Sequence, residues 1–170
     1  MDVRRRRRWR PYAALVGVAA ALVVAVWFQP QKLFIDDRVA ERLPAQPADA
    51  EASEPPRDLA RAEFVSRSHP TSGAVRIVEL NDGRRFVRLD DLRTDNGPAL
   101  YVYLSTNPVD GVTASFDDDF VDLGRLKGNL GDQNYELPPG VDLRRFRSLV
   151  VWCDRFDVAF GAAALDVSTG

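Results

Sequence analysis

The chain has very few of the residues that form disulfides or bind soft metals. Its 170 residues include one cysteine, one histidine and one methionine. These are Cys153, His69 and Met1. An internal disulfide and a two-cysteine redox cycle within one chain are therefore excluded. Haem held by histidine and methionine is excluded on the same ground.

Other common signatures of metal and nucleotide sites are incomplete. A zinc site would need carboxylates in addition to His69 and Cys153. If those two residues were adjacent, copper or another soft metal would fit between them. The simpler interpretation of His69 is a loop histidine that is hydrogen-bonded to backbone. Asp117–Asp119 lacks the spacing of an EF-hand loop, and Gly124–Tyr135 lacks the ending of a P-loop. No catalytic triad is recognisable around His69, so hydrolase chemistry is not supported, and metal and cofactor stay unassigned.

The N-terminus combines a cluster of arginines with a long uncharged run. Arg4–Arg8 and Arg10 precede Pro11–Phe28, and the next charged side chain is Lys32. At about 1.5 Å per residue the run reaches about 27 Å, close to the hydrocarbon thickness of a bilayer. The pattern predicts a transmembrane helix over residues 11–28, with residues 1–10 as a basic cytoplasmic tail and everything after Phe28 outside the cell membrane. A cleaved or lipid-modified segment is the alternative, although no small-x-small site follows the run.

Charge divides along the same line. In residues 1–10, six Arg and one Asp give a charge of +5. In the remaining residues, 17 Lys and Arg against 24 Asp and Glu give −7, so the total is −2. An acidic outer part argues against nucleic acid as a partner.

Residues 29–61 differ in composition from residues 62–170 and are assigned to a linker rich in Pro, Ala and acidic residues. Within Lys32–Leu43 three apolar residues have helical spacing, which fits either a short helix at the membrane surface or free linker. From Pro44 to Asp58 the chain has four prolines and almost nothing to bury, so it is expected to act as a spacer.

Residues 62–170 have the pattern of an all-β domain. Ala74–Leu80 and Arg84–Asp90 are joined through Asn81-Asp82-Gly83, which predicts a hairpin. Leu100–Ser105 alternates apolar and aromatic residues, as a half-buried strand does. Further candidate strands are Phe120–Leu126, Asn134–Leu137, Leu149–Cys153 and Val158–Phe160. Short strands separated by turn residues indicate an antiparallel β-sandwich or jelly-roll-like barrel.

Cys153 ends one of these strands. If Leu149–Cys153 is extended, Val151 and Cys153 share one face, and a buried, inert thiol is one interpretation. The other interpretation uses the strand end, where Asp154 and Arg155 begin the solvent-exposed part and a nearby arginine favours the reactive thiolate.

Several blocks in order resemble the DM13 domain family over about Ala62–Ala164. They are Thr71–Gly73, Leu89–Leu92, Thr94–Pro98 with Tyr101–Ser105, Leu123–Asn129 with Gln133–Tyr135, and Val150–Phe156 with Val158–Gly161. The resemblance, to a membrane-anchored bacterial member, implies a β-rich, extracytoplasmic domain proposed to act in electron transfer through a characteristic cysteine, and Cys153 falls at that position. Ala62 departs from the glycine expected in the opening strand.

Two functions emerge as expectations. The first is a membrane-anchored redox or electron-transfer accessory that uses Cys153, supported by His69, Asp154 and Arg155, with a redox partner in the cell envelope. The second is a non-enzymatic module that binds a ligand or partner through its loops and keeps Cys153 in its core. Neither interpretation makes the chain a stand-alone enzyme.

Overall fold

The computed structural model describes residues 3–28, 36–44, 55–110 and 116–166. In these ranges the chain forms one α-helix, nine β-strands and a 3₁₀ turn at Leu143–Arg145. The bounds are α1 Val3–Phe28, β1 Arg38–Ala40, β2 Arg57–Ser66, β3 Thr71–Glu79, β4 Arg85–Thr94, β5 Leu100–Ser105, β6 Phe120–Arg125, β7 Leu130–Glu136, β8 Ser148–Cys153 and β9 Val158–Ala164.

The strands form one curled sheet in the order β1-β7-β4-β3-β2-β9-β8-β5-β6. β2 joins the two halves, because its first part pairs with β3 whereas Phe64–Ser66 pairs with β9. Every described pair is antiparallel except β1 with β7. The prediction of a β-rich, mostly antiparallel domain is therefore confirmed, but its strands form one curled sheet and not the two separate sheets of the expected sandwich.

The predicted hairpin is present between β3 and β4. Gly83 has a φ of 81°, the left-handed conformation that glycine adopts without steric cost. The Leu80 amide donates to the Arg84 carbonyl oxygen at 2.8 Å and so closes the turn. Val75 lies opposite Leu89 and Ile77 opposite Val87, which puts apolar side chains of both strands on the inner face.

The main hydrophobic core lies between the two halves of the curled sheet. It includes the inward side chains of β3, β4 and β7 from one half, and those of β5, β8 and β9 from the other. A second cluster, around Trp152, covers the opposite face of β5, β8 and β9. Both faces of β8 are thus buried, and this explains why its sequence is apolar without alternation.

Helix α1 covers the segment for which the sequence predicts a helix. Its described side chains, Tyr12–Val24 and Val26, are exposed. Among the residues that the structure describes, no helix has the length and apolar character needed to cross a membrane. The transmembrane prediction for residues 11–28 is therefore not confirmed.

The segment before β2 differs from the expectation. Arg38–Ala40 pair with β7 as a parallel edge strand, and the other residues of 36–44 have no regular secondary structure. The helical alternative for Lys32–Leu43 is therefore wrong over its described part, because backbone hydrogen bonds to β7 replace those of a helix. Residues 29–35 and 45–54 of the predicted linker lie outside the described residues, and β2 begins at Arg57, before the expected domain start at Ala62.

Candidate functional site

Cys153 lies in the core and is not exposed at the rim. It is the last residue of β8, and its neighbours across the sheet are Leu100 on β5 and Val158 on β9. Its exposed fraction is 0%, and its thiol is free. Val151 and Phe160 belong to the same core cluster. A sulfur in this position packs as a small apolar group and is shielded from reagents in water.

The turn that follows Cys153 is exposed. Asp154 and Arg155 both face solvent, as do the next two residues. The Asp154 amide donates to the Ala99 carbonyl oxygen at 3.0 Å, and the Phe156 amide donates to the Cys153 carbonyl oxygen at 3.2 Å. These two backbone hydrogen bonds fix the end of β8 and the turn that follows it.

His69 lies at the surface beside Asp95 and Phe160. Its Nδ1 atom is 2.9 Å from Asp95 Oδ2, and its ring stacks on Phe160 with centroids 3.7 Å apart. Phe160 belongs to the same core cluster as Cys153. The structure therefore gives His69 a carboxylate and an aromatic ring as neighbours.

A metal site requires several ligands that converge on one point. Within the described ranges, no group of three or more His, Cys, Asp or Glu side chains is placed to hold a metal ion. The copper and zinc alternatives considered for His69 and Cys153 thus gain no support from the described residues.

An aromatic cluster occupies the sheet face opposite Cys153. Trp152 packs edge-on against Phe116 at 6.3 Å between centroids, and Tyr103 stacks on Phe120 at 4.3 Å. Tyr103 and Trp152 are 6.5 Å apart. Desolvation, together with the charges of nearby aspartates, raises the pKa of Tyr103 to about 12. The alternation of Leu100–Ser105 predicts an aromatic face, but the partners from β6 and β8 become apparent only in the fold.

A buried arginine organises the other half of the sheet. Arg88 on β4 is 8% exposed, and its guanidinium pairs with Asp90 and, at 2.8 Å, with Asp132. It also donates to Asn134 Oδ1 at 3.1 Å. Burial raises the pKa of Asp90, but hydrogen bonds and charge from Arg76 and Arg88 outweigh that effect and lower it. Nothing in the sequence distinguishes Arg88 from the chain's exposed arginines.

No curated protein and no solved structure matches the chain. The family model described as electron transfer DM13 matches residues 63–165, which is more than half of the chain. That range begins within β2, includes Cys153 and ends just after β9, whereas α1 and β1 lie outside it. The chain therefore belongs to the DM13 electron-transfer family.

Proposed function

We propose that this chain is a non-catalytic accessory domain of an electron-transfer system, in which Cys153 packs the core and a partner binds elsewhere on the surface. The complete burial of Cys153 carries the proposal. A thiol must form thiolate and meet its partner before it exchanges electrons or binds metal, and a closed apolar core prevents both. Membership of the DM13 family supports the redox context.

Thiol accessibility and genetic replacement test this role. A thiol reagent is expected to leave the folded chain unmodified and to label one site per chain in denaturant. In cells that lack the protein, expression of Cys153→Ala at wild-type abundance is expected to reverse the deletion phenotype as fully as the wild-type chain does. Failure of Cys153→Ala at matched abundance, at a temperature at which the variant is still folded, would show that the sulfur itself is required.

A second candidate function is a gated thiol, in which Cys153 reacts after the end of β8 opens. The observation that favours it is the exposed turn, where Asp157 adopts a φ of 49°, a strained conformation for a residue with a side chain. Labelling kinetics in increasing denaturant separate the two candidates. A gated thiol reacts by a local opening that is insensitive to denaturant, whereas a core thiol reacts only as fast as global unfolding allows.

We also propose that residues 11–28 hold the domain at a membrane, with the N-terminus in the cytoplasm and the DM13 domain outside. Six arginines precede 18 uncharged residues, and apolar side chains such as Leu15 and Val26 are 66% and 74% exposed on α1. Exposed apolar surface of this kind is expected to be buried in lipid. The acidic outer part makes nucleic acid an unsuitable partner.

A membrane-impermeant maleimide on intact cells tests this topology. Asp166→Cys places a thiol at an exposed position near the end of the described chain, and the unsubstituted chain, with Cys153 alone, is the matched control. Labelling of the variant on intact cells, in a carbonate-resistant membrane fraction, is expected. Labelling only after lysis, or release by carbonate, would contradict the proposal.

A further inference from the structure

The edge of β7 carries a groove that is already filled by another part of the chain. Residues 36–44, here called the strap, lie along β7 and include β1. The Glu41 amide donates to the Asp132 carbonyl oxygen at 3.0 Å, and the Leu130 amide donates to the Asp37 carbonyl oxygen at 3.2 Å. The strap lies outside residues 63–165, whereas β7 belongs to the family domain.

Two glycines shape the groove for close approach of a second backbone. A β-carbon at position 128 would collide with the Asp37 carbonyl oxygen, and one at position 131 with that of Val39. Gly131 also has a φ of 95°, which disfavours any other residue. The domain therefore presents a backbone surface onto which an extended strand fits at unusually short range.

Polar side chains of the groove recognise the acidic residues of the strap. Lys127 Nζ lies 2.8 and 2.9 Å from the two carboxylate oxygens of Glu41. The backbone amide of Asn134 donates to Glu41 Oε2 at 2.7 Å. Asn129, which is 2% exposed, donates to Asp36 Oδ1 at 2.9 Å and accepts from the Asp37 amide at 2.8 Å.

An apolar contact completes the recognition. Leu43 packs against a small hydrophobic cluster of Val78, Leu80 and Phe86. Main-chain pairing gives affinity in strand addition, and side-chain pockets at fixed positions give specificity. The groove has both, since it holds the carboxylates of Asp36 and Glu41 and the side chain of Leu43.

We propose that the β7 edge is a peptide-binding groove for an extended acidic segment with the spacing Asp-Asp-x-x-x-Glu-x-Leu. The strap occupies this groove until a segment of a partner protein with the same spacing replaces it. The strap and the partner segment thus compete for one binding site. This inference is independent of the role of Cys153, which lies in the other half of the sheet, on β8.

Charge reversal on the full-length chain tests the groove. Glu41→Lys places the strap lysine against Lys127 and is expected to open the groove. A fluorescent peptide with the sequence of residues 36–44 should then bind this variant at least tenfold more tightly than it binds the wild-type chain. A peptide carrying Glu41→Lys should not bind it.

The reciprocal variant provides the matched control. Lys127→Glu repels the strap glutamate, so this chain should bind the peptide carrying Glu41→Lys and reject the native peptide. Circular dichroism verifies that each variant is folded, and if Lys127→Glu fails to fold, the Glu41→Lys chain alone decides. The proposal is overturned if a folded variant binds neither peptide or binds both equally. It is also overturned if the variant forms a dimer in which each chain binds the strap of the other and excess peptide does not dissociate that dimer.

Discussion

Glu41 and Lys127, 86 residues apart in the chain, form an ion pair that joins the strap to the DM13 domain, with Nζ 2.8 Å from Oε1. Lys127 Nζ also donates to the Asn134 carbonyl oxygen at 2.7 Å. Burial raises the pKa of Glu41, but hydrogen bonds from Lys127 and Asn134 and the lysine charge outweigh that effect and lower it. The paired carboxylate therefore contributes to the attachment of the strap.

The lowered pKa predicts that acid weakens the strap. A carboxyl group whose pKa is lower in the folded state than in the unfolded state stabilises the folded state at any pH above its ordinary pKa of 4.5. That stabilisation is lost as the pH falls through the pKa of the folded state. The backbone amide of Asn134 donates to Glu41 Oε2, so the chemical shift of its proton reports this titration. We expect a midpoint below 4.5 and a flat profile in Glu41→Gln. A midpoint at or above 4.5 would contradict the prediction.

Arg88 is expected to be the most costly arginine to remove. Arg88→Met removes a hydrogen-bond partner of Asp90, Asp132 and Asn134, whereas Asp90 keeps its ion pair with Arg76, and we expect a loss of about 1–3 kcal/mol. The control is Arg84→Met, because Arg84 pairs with Asp82 at the exposed hairpin, where solvent screens the ion pair and its loss should matter much less. Urea unfolding of both variants measures the difference, and equal losses of stability would show that Arg88 does not organise the network.

Local patterns in the sequence predict the parts of the fold that depend on neighbouring residues. Asp82-Gly83 predicts the β3–β4 hairpin because a tight turn needs positive φ at one position, and Gly83 adopts it. The two-residue period of an extended strand places Val151 and Cys153 on one face of Leu149–Cys153, and both lie in the main core. Whether that face points inward could not be decided from the sequence, because both faces of β8 are apolar.

The strap could not be predicted, because its partners lie about 90 residues further along the chain. Val39 and Leu43 have helical spacing, but Val39 lies on an edge strand and Leu43 contacts a satellite cluster. The residues that indicate a strap-binding edge are Gly128 and Gly131, but their sequence context is typical of a turn. Their function is to let the backbone of the strap approach, and a single sequence does not indicate which distant segment a glycine accommodates.

Tyr103 is expected to ionise late in an alkaline titration. Desolvation and the charges of Asp122 and Asp154 raise its pKa to about 12, so the folded state retains a proton that the unfolded chain loses near pH 10. Stability should therefore fall as the pH rises above 10. Absorbance at 295 nm should show a late phase that shrinks in Tyr103→Phe. A titration in which every tyrosine ionises by pH 10.5 while the protein stays folded would refute the assignment.

Replacement of Cys153 by alanine and by serine should destabilise the domain for two different reasons. Cys153→Ala leaves a small cavity in a close-packed core, which we expect to cost about 1–2 kcal/mol. Cys153→Ser keeps the volume but places a hydroxyl group in the apolar core between Leu100 and Val158, and an unsatisfied buried hydroxyl costs about 1–3 kcal/mol. Thermal unfolding should therefore rank wild type above both variants. A fully stable Cys153→Ser chain would mean that the site admits water or offers a hydrogen-bond partner, and the thiol would then be open to the chemistry that burial otherwise prevents.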